Sequence, residues 1–227
     1  MVQNAILPTG PDGRGSEGDF ADGGGDVAAR IAGRTLARRG ADYASEVRRL
    51  LDAALELIRL HGTAARPRVA DIVAASGLSN EAFYRHFPSK AALVAALVED
   101  GTDRLAGYLA HQMAKEATPE GRVRRWVEGI LSQADGEIAA ATLAVLWNGG
   151  EHAGGHRNDA AAIIGALLVG PLTELGGDDP GSDAVLLAHA MLGRVTTHLW
   201  AGTGPTPAEV DHLVAFCRRA GAAGRPG

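Results

Sequence analysis

Cys217 is the single cysteine in 227 residues. That excludes an intramolecular disulfide and any metal cluster built on cysteine. Lysine is almost missing too. Lys90 and Lys115 apart, the positive charge is arginine. The net charge of -5 excludes a protein that holds nucleic acid through a basic overall surface, so any such binding must come from a local patch. Long apolar runs are absent: the richest stretch, "AAAIIGALLVG", is shorter than the ~20 residues a membrane span needs. The first residues lack the charged-then-apolar pattern of a secretion signal. The expectation is a cytoplasmic protein without a membrane partner and without a cofactor. Aromatics make up 4% of the chain.

Against that scarcity, "LSNEAFYRHFPSK" (78–90) stands out. It holds Phe83, Tyr84 and Phe87 within five residues, beside Arg85, His86 and Lys90.

Residues 1–25 are rich in Gly, Pro, Asp and Ser and cannot bury enough apolar surface to offset chain entropy, which predicts disorder. The following "DVAARIAGRTLARRG" is weakly helical and carries Arg30, Arg34, Arg38 and Arg39. These are either a solvated face or a basic arm that touches DNA phosphates or a minor groove. From Asp42 the helical period is clear. Val47, Leu50, Leu51, Ala54, Leu55 and Ile58 form one apolar stripe, which His61-Gly62 closes. "RVADIVAAS" gives a short helix up to Gly77. Ser79 caps a second short helix to about Phe87, and a long helix runs from Lys90 to about Ala114. Five further helical segments follow, and Thr206, Pro207 and Glu209 open the last of them as a capping box. The reading is all-α, about nine helices, with no strand long enough to count.

Two short helices around a glycine have the layout of a helix-turn-helix. Ile72, Val73, Leu78 and Phe83 would pack inward. Ser79, Asn80, Glu81, Ala82, Tyr84 and Arg85 would form the outer row, where such a helix meets base edges in a major groove. Tyr84, His86 and Lys90 would reach phosphates.

On these residues, "DIVAASGLSNEAFYRHFPSKAALVAAL" closely resembles the DNA-binding segment of the TetR family of bacterial transcriptional regulators. Tyr84, His86, Phe87 and Lys90 fall on the family's signature. Val73 and Ser76 depart from its commoner alanines, and Glu81 and Ala82 from its commoner recognition residues. The resemblance implies residues 1–41 as an N-terminal extension with a basic arm, and 42–90 as a three-helix DNA-binding domain. Residues 91–222 become a larger helical domain for effector binding and dimerisation, and 223–227 a frayed tail. It also implies a homodimer on a palindromic double-stranded operator. Phosphates would be met by Tyr84, His86, Lys90 and Arg68. Bases would be met by Ser79, Asn80, Glu81 and Arg85, with Glu81 either accepting from cytosine or orienting Arg85.

For a small-molecule effector the candidates are Leu109, Met113, Trp126, Ile130, Leu143, Trp147 and His189, with Arg194 and His198 as further polar anchors. Leu187, Met191, Val195, Val210, Leu213 and Phe216 are the candidates for the dimer seam. His152 and His156 lie four apart, but two glycines between them argue against a helical metal site, and no metal is expected. The functional expectation is a ligand-released repressor and not an enzyme. An all-helical carrier or enzyme is the alternative. It lacks a phosphate-cradling glycine loop, a catalytic triad order and paired carboxylates. An architectural DNA protein would need a lysine-rich body.

Overall fold

A computed structural model describes residues 23–149 and 160–220. His152 and His156, and the tail from 221, lie outside the described residues. Among the described residues there are nine α-helices, one 3-10 turn and no strand. The helices are α1 (Gly23–His61), α2 (Val69–Ser76), α3 (Asn80–His86), α4 (Lys90–Met113) and α5 (Pro119–Leu131). After a 3-10 turn at Ser132–Ala134 come α6 (Gly136–Gly149), α7 (Ala160–Leu175), α8 (Pro180–Ala201) and α9 (Pro207–Ala220). The chain divides into two compact units between Ala44 and Ser45. In the first, the segment expected to be only weakly helical is the N-terminal part of α1, and every residue from Val27 to Ala44 is exposed.

In the second unit, hydroxyl and carboxylate caps set most helix starts. Ser79 Oγ accepts from the Ala82 amide, and Ser89 Oγ from the Ala92 amide, each at 3.1 Å. Thr118 Oγ1 takes the Gly121 amide at 3.1 Å, ahead of Pro119 in the first turn. Each bond satisfies an amide that has no intrahelical acceptor. Asp179 caps α8, its Oδ1 accepting from the Ser182 amide at 3.1 Å.

Two apolar cores form. The first gathers Leu50, Leu51, Ala54, Ile58, Ile72, Phe83, Phe87, Leu93, Val94 and Leu97, and takes in Ala144 from α6. The second holds Leu109, Met113, Trp126, Ile130, Leu168, Leu187 and Met191. α4 therefore serves both: Leu93, Val94 and Leu97 belong to the first core, Leu109 and Met113 to the second. A boundary at residue 90 cuts ahead of side chains that complete the first core.

Candidate nucleic-acid interface

The turn between α2 and α3 is built by Gly77 and Arg49. Gly77 has φ 64° and ψ 28°, the left-handed region that costs a residue with a Cβ roughly 1–2 kcal/mol. Arg49 reaches across from α1. Its Nε and Nη2 donate to the Ser76 carbonyl at 3.1 and 2.6 Å, and Nη2 also donates to the Gly77 carbonyl at 3.2 Å. A charged donor on the last carbonyls of α2 ends that helix and fixes the direction in which α3 leaves.

α3 is seven residues long with two distinct sides. Ala82 and Phe83 are buried, Phe83 completely. Ala82, expected on the outer row, therefore belongs to the inner one. Ser79, Asn80, Glu81, Tyr84 and Arg85 are exposed. Tyr84 stands edge-on to Phe83, with ring centroids 5.2 Å apart, and keeps 57% of its surface open. Phe83 anchors the ring that solvent sees. Ser79 is in the outer row, but its hydroxyl oxygen is used as the cap of α3.

Glu46 on α1 governs the rest. Its Oε2 accepts from Arg85 Nη2 at 2.6 Å and from His86 Nε2 at 2.7 Å. The hydrogen bond from His86, then that from Arg85, holds the Glu46 carboxyl below its ordinary value. Two expectations change. The His86 side chain has no exposed surface and lies behind the outer face, so it positions Glu46 and Arg85 and is not placed for a phosphate. The carboxylate that orients Arg85 is Glu46, not Glu81. Neither Glu46 nor Arg49 stands out in the sequence. On α1, Glu46 lies three residues before Arg49 and four before the buried Leu50. Only their tertiary partners reveal the role.

Lys90 is half-buried, and its Nζ donates to the Pro67 carbonyl at 3.1 Å. Burial first, then the nearby Arg66, lowers its pKa. Arg68 is exposed, and its amide donates to Asp71 Oδ2 at 2.8 Å at the start of α2.

In the larger helical part, the expected pocket residues do not gather. Leu109, Trp126 and Ile130 have no exposed surface and Met113 retains 5%, all packed in the second core. Trp126 Nε1 donates to the Ile164 carbonyl at 3.0 Å, so its polar edge is satisfied within that core. His189 is exposed and its Nδ1 lies 2.9 Å from the Val185 carbonyl. Trp147 sits at the far end of α6, with its ring 6.2 Å from that of Trp200. Of the seven, Leu143 lines a cavity among the described residues. That cavity, about 300 Å³, lies between the start of α6 and the end of α8, with Asp135, Ala139, Ala140, His198 and Thr203 also on its wall. His198 Nε2 donates to the Glu209 carboxylate at 3.0 Å, and its Nδ1 lies 2.9 Å from the Thr203 hydroxyl. Glu209 gives its own amide to the Thr206 cap, but its carboxylate turns to Arg194 and His198, so the capping box is half formed.

Dimer candidates also divide. Leu187, Met191 and Val195 point into the second core, Val210 and Leu213 pack partly against it, and Phe216 is 46% exposed.

Residues 50–97 match the family described as bacterial regulatory proteins, tetR family. No curated relative matches the chain. Among solved structures, a TetR-family transcriptional regulator from Mesorhizobium loti superposes with a TM-score of 0.58 at 18% identity, over 80% of this chain and 96% of that one. A transcriptional regulator from Pseudomonas aeruginosa gives 0.58 at 25% identity, over 78% and 90%. The reduced form of Escherichia coli NemR gives 0.54 at 17% identity, over 77% and 96%. With the helix-turn-helix geometry, the matched segment and the helix order in agreement, residues 50–97 form a tetR-type helix-turn-helix DNA-binding segment, and the chain shares the helical fold of TetR-family transcriptional regulators.

Proposed function

We propose that the protein is a repressor that binds a palindromic operator as a homodimer and is released by a small-molecule effector. The observation that carries this reading is the two-sidedness of α3. Asn80, Glu81, Tyr84 and Arg85 face solvent from a helix whose other side is sealed by Phe83. Arg85, steadied by Glu46, would read guanine, and Asn80 would read adenine. Tyr84 and Arg68 would meet phosphates on either side of the groove.

Pairing would use the outward row of α8, where Leu186, Ala190, Gly193 and Thr197 recur on one face, together with Phe216 of α9. Leu186 is 67% exposed, and nothing lies within 4 Å of where a Cβ on Gly193 would stand. Small residues there let two helices approach closely. Gly193→Arg fits a lone subunit without a clash, so it should split the dimer while the fold remains. Sedimentation tests this, and an unchanged mass would remove the seam from α8.

The effector would occupy the cavity at the start of α6. α6 spans from that cavity to Ala144 in the first core and to Trp147 beyond it. A ligand that shifts α6 interacts differently with two states of the domain, which release from DNA requires.

Selection of binding sites from random duplexes, followed by footprinting, tests the whole reading. The expected result is a two-fold-symmetric site with half-sites about 34–36 Å apart. Recovery of no preferred sequence would sink it.

A further inference from the structure

The cations around the helix-turn-helix are largely committed to partners inside the protein. Arg49 is used by the Ser76 and Gly77 carbonyls, Arg85 by Glu46, Lys90 by the Pro67 carbonyl, and Arg48 by Asp100. A duplex presents about one negative charge per 1.7 Å of its length, and binding strength follows the number of phosphates neutralised. An acidic protein of net charge -5 with so few uncommitted cations near α3 is short of that attraction.

The N-terminal part of α1 has what is missing. Between Val27 and Ala44 stand four arginines and a single acidic residue, Asp42, in a stretch exposed throughout. Arg34, Arg38 and Arg39 have no carboxylate within ion-pair distance among the described residues. Arg34 and Arg38 lie four apart, on one face at 3.6 residues per turn, and Arg39 extends the charge around the helix. No residue of the stretch from Val27 to Ala44 is buried. Gly33 and Gly40 sit in its interior with no atom within 4 Å of a would-be Cβ, and each weakens a helix by about 1 kcal/mol relative to alanine. Its exposed apolar residues, Val27, Ile31, Leu36 and Tyr43, fall on two different faces and form no continuous stripe for a helical partner. A helix that is exposed, glycine-weakened and positively charged fits an anionic partner that supplies charge and asks for no apolar seam.

We infer that Arg34, Arg38 and Arg39 form a sequence-independent clamp on the phosphate backbone of duplex DNA. The inference rests on the DNA-binding reading above and adds a division of labour. α3 supplies sequence preference, and the arm supplies salt-dependent affinity that does not depend on sequence. Arginine suits this role because its charge is permanent and its planar fork matches phosphate oxygens.

The experiment uses the full chain, a random-sequence duplex of about 30 base pairs and the selected operator. Binding is measured across a salt series for wild type, for Arg34→Ala/Arg38→Ala/Arg39→Ala, and for the corresponding triple lysine variant. The expected result is a salt slope lowered by about 0.9 for each phosphate left without its arginine, roughly 2–3 per protomer, on both duplexes. The ratio of operator to random affinity should stay within about twofold, because backbone interactions carry no sequence information. Lysine should restore the slope, since the slope counts the phosphates neutralised and not the shape of the donor. Alanine is the better helix former, so a lowered slope does not come from melting the arm. An unchanged slope in the alanine variant overturns the clamp while wild-type binding leaves the regulator reading intact. A changed oligomeric state with an unchanged slope assigns the arm to pairing between copies and also overturns it. Wild type that binds neither duplex overturns both readings.

Discussion

Arg66 lies with its guanidinium 5.1 Å from the ring centroid of Trp147 and donates from Nη2 to the Trp147 carbonyl at 3.1 Å. The residues are 81 positions apart. One belongs to the loop that precedes α2, the other to the end of α6, so the pair ties the helix-turn-helix to the helix that lines the cavity. Arg66 is exposed and Trp147 half-buried, and a cation–indole contact that solvent still reaches contributes about 0.5–1 kcal/mol. Arg66→Ala should therefore change the melting temperature little. It should raise amide exchange in the loop before α2 and at the end of α6 together. Exchange confined to one of the two would show that they are not mechanically joined.

Glu46 sets a pH dependence. Its carboxyl titrates below the ordinary 4.5 because of the bonds from His86 and Arg85. A carboxyl depressed in the folded state stabilises above its unfolded pKa and loses that contribution as pH falls through the folded one. The stability gap between wild type and Glu46→Gln should be full at neutral pH and close as pH drops below 4.5. Melting curves across that window check the sign. A gap that widens on acidification would contradict it.

At Gly165, α7 packs directly against the backbone of α8. A Cβ there would stand 2.8 Å from the Ala184 carbonyl oxygen and 3.1 Å from its carbon. Both are backbone atoms and cannot rotate away. Alanine normally gains about 1 kcal/mol over glycine inside a helix. Overpacking costs about 1–3 kcal/mol, and the clash should win, so Gly165→Ala destabilises. Denaturant unfolding tells the two effects apart by sign.

Arg85 should matter for preference more than for affinity. Removing one bidentate pairing with a base costs about 1–3 kcal/mol of discrimination, roughly 5–150-fold. Arg85→Ala should lower operator preference by that factor, while the salt slope on random duplex falls by no more than about 0.9, the value of a single phosphate. A uniform weakening across sequences, read in a competition assay, would place Arg85 on the backbone instead.

The DNA-binding half was largely legible in the sequence because its signals are local. Gly77 had to turn, Ser79 had to cap, and Leu50, Leu51, Ala54 and Ile58 kept a clean helical period that all four honour by burial. Pairings across α1 were not legible. Glu46 and Arg49 look like any wet-side charges until α3 and the end of α2 arrive beside them.

The larger half misled for a different reason. α6, α7 and α8 are apolar on most sides, so periodicity does not say which side faces the core. Leu186 and Leu187 are neighbours of the same type, yet one is 67% exposed and the other 4%. Bulk also misdirected: Trp126 and Ile130 suggested a pocket, but large side chains fill space as readily as they line it, and here they fill it.

Cys217 has no exposed surface, and burial pushes its thiol up to about 11. The native chain is thus silent to thiol-directed reagents at neutral pH. A cysteine introduced on the open row of α3, as in Glu81→Cys, would take a nitroxide or dye alone, without first removing the native one. A symmetric pair would then carry two identical probes, and the distance between them would report directly on the spacing of the reading heads with and without an added small molecule.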